Sequence, residues 1–157
     1  MLQKLKSYVW SILIALAVGG LSAFITRGSM DIYNEIKTPP LSPPSWLFPV
    51  VWSILFVLMG ISATMIARNQ TATNQDKEKA LTFYAISLVF NFTWSIVFFN
   101  FRAFSVAFVI LCVLWYLILR TILSYNKIDQ LAAKLQIPYL LWVSFAGYLN
   151  LAIAILN

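Results

Sequence analysis

Residues 46–67 read WLFPVVWSILFVLMGISATMIA, a run of about 22 residues without one charged side chain. At a rise of about 1.5 Å per residue such a helix spans about 33 Å, enough to cross the roughly 30 Å hydrocarbon core of a bilayer. Working outward, uncharged runs of similar length occupy 7–26, 80–101 and 135–157, and a fourth covers 103–119. This last run extends to 124 if Arg120 snorkels toward the membrane surface. None alternates apolar and polar residues as barrel strands do, and open strands would leave backbone groups unbonded in lipid. The expected fold is therefore an all-α integral membrane protein, a single domain of five transmembrane helices over residues 1–157.

Composition agrees. With 61% hydrophobic and 10% charged residues, and a mean hydropathy of +0.83, the chain does not describe a water-soluble domain. Lys4 and Lys6 ahead of an apolar run, with Leu21-Ser22-Ala23 near its end, superficially suggest a signal peptide. The run is too long for that, and four further spans follow it. Five spans put the termini on opposite sides. Lys4, Lys6, Arg68, Lys77, Lys79, Arg120, Lys127 and Lys134 fall on one side, against Arg27, Lys37 and Arg102 on the other. The excess of positive charge predicts a multi-pass protein of the cell membrane with a cytoplasmic N-terminus and an external C-terminus. No basic run is dense enough for nucleic acid. Cys112, the single cysteine, lies inside an apolar span and is expected to pack within the bundle.

The first connection, 27–45, is the longest and carries Pro39-Pro40-Leu41-Ser42-Pro43-Pro44 after a stretch, 31–36, that can form a helical turn. Prolines fix φ and remove backbone donors, so the segment is expected to be extended and stiff. It suits a lid over a pocket as well as it suits a plain connector.

The chemistry is defined by what is missing. There is no histidine, and all five acids, Asp31, Glu35, Asp76, Glu78 and Asp129, lie in loops. Hydrolysis, metal catalysis, permanent haem ligation and ion-coupled transport all lose their usual residues. The spans instead offer aromatic faces. Trp52, Phe56 and Met59 share one face of the second span; Asn91, Trp94, Ser95 and Phe98 one face of the third; Trp142, Phe145, Ala146, Leu149 and Asn150 one face of the fifth. Such faces suit a flat apolar ligand held by stacking and one or two hydrogen bonds, and equally suit helix packing with the asparagines as interhelical glue. Counted along its apolar run, Trp142 falls near the end of span five remote from the first loop, which is hard to reconcile with a pocket under that loop.

Three blocks in order carry a family resemblance. Pro43-Pro44-Ser45-Trp46 through Val51-Trp52, Leu55-Phe56 and Met59-Gly60 form the first; Asn91-Phe92-Thr93-Trp94, Phe98-Phe99 and Arg102 the second; Pro138-Tyr139-Leu140-Leu141-Trp142, Phe145-Ala146 and Asn150 the third. On five spans with a long first loop, they resemble the translocator protein family, also known as tryptophan-rich sensory proteins or peripheral benzodiazepine receptors. The resemblance implies a homodimeric five-helix bundle that binds protoporphyrin IX and isoquinoline- or benzodiazepine-type ligands under the first loop, and in bacterial members promotes light-dependent porphyrin breakdown. Carried over, the pocket would use Tyr33, Leu41, Trp52, Phe56, Asn91, Trp94, Ser95, Trp142, Phe145 and Ala146, with Trp52 and Trp142 taking part in the photochemistry. Leu41 stands where many relatives carry tryptophan, and the C-terminus lacks the tyrosine and arginine of the animal cholesterol motif. A metal-free porphyrin would supply its own photochemistry and need no axial ligand. The competing expectations are a non-enzymatic tetrapyrrole receptor, sensor or transporter, and a structural membrane protein with no small ligand.

Overall fold

The computed structural model describes residues 1–29 and 31–157, and among these the regular structure is helical throughout. Helix α1 spans Leu2–Thr26 and runs into a 3-10 turn at Arg27–Ser29; a four-residue α2 spans Ile32–Glu35. Four long helices follow: α3 (Leu47–Ala67), α4 (Asn74–Phe99), α5 (Phe104–Asn126) and α6 (Gln130–Leu156). All five long helices are long and apolar enough to cross a membrane. The chain is a five-helix membrane bundle.

Helices α3 and α5 start and end within two residues of the apolar runs, whereas α1, α4 and α6 begin earlier than 7, 80 and 135. Counting apolar residues finds only the lipid-immersed part of a helix; polar first turns continue it. Thr73 caps α4 by accepting from the Asp76 N–H at 3.1 Å, and Asp129 caps α6 by accepting from Leu131 at 2.9 Å and Ala132 at 3.2 Å.

The helices pack in the cyclic order α1, α3, α6, α5, α4 and back to α1, with α3 also touching α4 across the ring. Leu55, Met59, Ile66, Leu88, Leu111, Leu114, Ile118, Tyr139 and Val143 fill the middle. Ser62 donates to the Ala132 carbonyl at 2.8 Å and accepts from Gln136 Nε2 at 3.3 Å, joining α3 to α6. Helix α1 is the least enclosed: Leu13, Ile14, Leu21 and Phe24 face outward, as lipid-facing side chains do. It meets α3 through Gly60, where an added Cβ would lie 2.5 Å from the Ile12 Cα. Cys112, expected inside the bundle, is exposed on the outer surface of α5, because Leu111 and Leu114 take the inward positions of that turn.

The first connection is a strap laid along α6. Asn157 exchanges two hydrogen bonds with the backbone of Lys37, at 3.1 and 3.0 Å, and the Tyr148 hydroxyl donates to the Pro40 carbonyl at 2.8 Å. Further down, Phe48 meets Trp142 with ring centroids 5.9 Å apart and Trp52 meets Tyr139 at 6.2 Å. Helix α3 thus begins beside the middle of α6, and the proline-rich segment covers the half of α6 nearer the loop. Trp142 stands mid-helix, since α6 starts at Gln130, and the apparent mismatch of depth disappears. Arg102 ties the other flank, pairing with Glu35 of α2 at 2.9 Å.

Candidate functional site

Beneath the strap, α1, α3, α4 and α6 enclose a cavity of about 260 Å³. Its aromatic wall comes from helical spacing. Trp52 and Phe56, one turn apart on α3, stack at 5.7 Å with planes 29° apart; Trp52 approaches Trp94 of α4 at 6.5 Å. Trp94 in turn contacts Phe98 at 5.5 Å and Phe99 at 6.3 Å. Such pairs contribute about 0.5–1.5 kcal/mol each beyond simple burial, so the wall is held in shape without ligand.

The polar groups divide into those engaged in structure and those left for a guest. The Trp94 indole donates to Asn150 Oδ1 at 2.9 Å, and Asn150 Nδ2 donates to the Phe104 carbonyl at 2.8 Å. Asn150 is therefore interhelical glue, linking α4, α5 and α6. Asn91 donates from Nδ2 to the Tyr139 hydroxyl at 3.0 Å. Tyr33 lines the same cavity, and its hydroxyl is buried without a hydrogen-bond partner among the described residues. A buried, unmatched hydroxyl is costly, and a ligand group can satisfy it.

Seven of the residues expected from sequence, Tyr33, Trp52, Phe56, Asn91, Trp94, Ser95 and Ala146, line this cavity together. Three do not. Leu41 is 84% exposed, its left-handed backbone (φ 68°) turning the side chain away from the bundle. Trp142 and Phe145 lie behind Phe48: the Phe48 ring meets Tyr33 at 5.3 Å and Trp142 at 5.9 Å, and Trp142 meets Phe145 at 5.6 Å. The Trp142 indole N–H is buried and unpartnered among the described residues.

Sequence reasoning missed Phe48 and all of α1. Leu16, Gly19, Gly20, Ser22, Ala23 and Thr26 form the wall opposite α6, between α3 and α4, and Gly19 is required there because a Cβ would overlap the Phe56 ring. The paired glycines at 19 and 20 were the available signal.

Comparison with known proteins follows the same outline. The model of the TspO/MBR family matches residues 11–156, nearly the whole chain. The chain belongs to the TspO/MBR family. It is 37% identical to the tryptophan-rich protein TspO of Archaeoglobus fulgidus over 156 residues, covering 99% of each chain. Against the tryptophan-rich protein TspO of Chlorobaculum tepidum it is 36% identical over 145 residues, 92% of this chain and 91% of the relative. The translocator protein of Bos taurus is 32% identical over 133 residues, 84% of this chain and 79% of the relative. This member of the TspO/MBR family is a multi-pass membrane protein.

Proposed function

We propose that the protein binds a flat tetrapyrrole such as protoporphyrin IX in the cavity under the first loop and promotes its light-dependent oxidative degradation. The observation that supports this most is the continuous wall of Phe56, Trp52, Trp94 and Phe98, with the polar side chains of Asn91 and Ser95 and the Tyr33 phenol in the same lining. An apolar macrocycle gains by stacking there, and its polar substituents find a donor. Isoquinoline- and benzodiazepine-type ligands share that chemistry and compete for the same wall.

At about 260 Å³ the cavity is below the roughly 300–1,000 Å³ usual for ligand pockets. A tetrapyrrole therefore needs more room, and rotation of Phe48 joins the cavity to Trp142 and Phe145. Trp52 and Trp142 then flank the ring: an indole passes one electron to the excited porphyrin, and dioxygen takes that electron to become superoxide. The indole radical cation recovers an electron from the porphyrin, and superoxide adds to the porphyrin radical cation. The net change is porphyrin plus dioxygen to an oxygenated product, with the indoles restored. No acid–base group or metal is required of the protein in this scheme.

Titrating protoporphyrin IX in the dark, then illuminating, measures binding and loss of absorbance separately. Replacing both Trp52 and Trp142 with Phe abolishes photodegradation; an unchanged product yield refutes the role of the indoles. The alternative of a receptor, sensor or carrier without catalysis draws support from the missing acid–base chemistry, and degradation of more than one equivalent per protein rules it out. The charge distribution supports a cytoplasmic N-terminus, and the resemblance a homodimer. Reporter fusions at both termini and native mass spectrometry from detergent test these two.

A further inference from the structure

We infer that the cavity is loaded sideways from the bilayer, through a mouth between α1 and α3, by flat apolar molecules dissolved in the hydrocarbon. The inference rests on the preceding view that the cavity takes such a ligand, and it concerns the route. Of the described residues lining the cavity, only Gly20, Ala23, Pro49 and Ser53 are exposed. All four are small, and they come from the two facing helices α1 and α3 alone.

The outward side of this seam is open. At Gly60 the backbone of α1 touches α3 and at Gly19 it lies against the Phe56 ring, whereas a Cβ at Gly20 would meet no atom within 4 Å. Gly20 and Ser53 each lie six residues from the loop-side end of their helix, about 9 Å below it and inside the hydrocarbon layer. Their exposed neighbours, Leu21 and Phe24 on α1 and Val50 and Ile54 on α3, are apolar, as a surface facing hydrocarbon requires. The hydroxyl at the rim is already satisfied, since Ser53 donates to the Pro49 carbonyl at 2.7 Å. The mouth thus offers a hydrocarbon-like edge with no bulky side chain across it.

The water side is shut by contrast. Ile32 of α2 is 1% exposed, and the strap is tied by Glu35 to Arg102 and by Lys37 to Asn157. A ligand arriving from water must break those ties; one arriving from lipid need not.

The test uses the full chain in phosphatidylcholine nanodiscs mixed with vesicles carrying protoporphyrin IX, in the dark, following quenching of tryptophan fluorescence. Gly20→Leu places a side chain in the mouth where space is open, and its thermal unfolding checks that it folds. Association and dissociation are both expected to slow about tenfold in Gly20→Leu, while the double variant Tyr148→Phe with Asn157→Ala, which removes the ties of the strap to α6, leaves both unchanged. Unaltered rates in Gly20→Leu, or faster association in the double variant, overturn the lateral route. A second probe needs no ligand: phosphatidylcholine with brominated acyl chains quenches the cavity indoles through an open mouth, and Gly20→Leu is expected to reduce that quenching. Reduced quenching without any porphyrin binding would keep the mouth and refute the tetrapyrrole. Porphyrin binding with quenching equal to wild type would refute the mouth.

Discussion

At the scale of single residues, the structure separates asparagines that hold the bundle from side chains that face a guest. Asn150 accepts from Trp94 and donates to Phe104, so Asn150→Leu leaves a buried indole N–H unpaired. Interhelical hydrogen bonds in membranes average about 0.6 kcal/mol, but an orphaned buried donor costs about 1–3 kcal/mol. A loss of about 1–2 kcal/mol is expected for Asn150→Leu in detergent unfolding, with much of it recovered in the double variant that also carries Trp94→Phe. With Trp94→Phe alone as the third arm of the cycle, a double variant whose loss equals the sum of the two single losses would show that the pair is not coupled. Much of this site was legible in the sequence, because Trp52 and Phe56, or Asn91, Trp94 and Ser95, fall on one face through helical spacing alone. Trp142 and Phe145 share a face with Ala146, yet only Ala146 lines the cavity, since a helical face is broad and Phe48 fills the space before the two rings. Leu41 was misplaced for another reason: nothing local announces a leucine at φ 68°.

At the scale of elements, small residues decide how closely α1 can approach, and they gave the weakest signal. Hydrophobic runs mark where a helix crosses the membrane but carry no information about its neighbours, which is why five spans were readable and the contribution of α1 to the cavity was not. Gly60 and Gly20 make the distinction measurable. A Cβ at Gly60 would meet the backbone of Ile12, which cannot rotate away as a side chain can. Gly60→Ala must therefore push α1 outward, at a cost of about 1–3 kcal/mol typical of overpacking. Gly20→Ala meets open space and is expected to be neutral or slightly stabilising through its better helix propensity. Limited proteolysis and thermal unfolding of the two variants side by side check this; equal behaviour would mean that the α1–α3 contact does not limit stability.

For the whole molecule, the first connection decides how the cavity is closed toward water, and its fastening can be tested apart from the helices. The Glu35–Arg102 pair has both side chains more than half exposed, so salt screens it and its contribution is at most about 1 kcal/mol. The ties to α6 are different in kind: Asn157 makes two hydrogen bonds to the Lys37 backbone and Tyr148 one to Pro40, each contributing about 1 kcal/mol. Together they hold the strap by about 3 kcal/mol, close to a hundredfold in the equilibrium between closed and opened loop. Combining Tyr148→Phe with Asn157→Ala is therefore expected to speed amide exchange at Lys37 by about a hundredfold, whereas Glu35→Gln changes it little at physiological salt. Amides in α4 and α5 should keep their protection in every variant, because their N–H groups are bonded within their own helices and opening of the strap breaks none of those bonds. Hydrogen–deuterium exchange read by mass spectrometry distinguishes the outcomes. If protection falls together in the strap and the helices, the connection is part of the cooperative core, and local opening cannot serve as a separate route to the cavity.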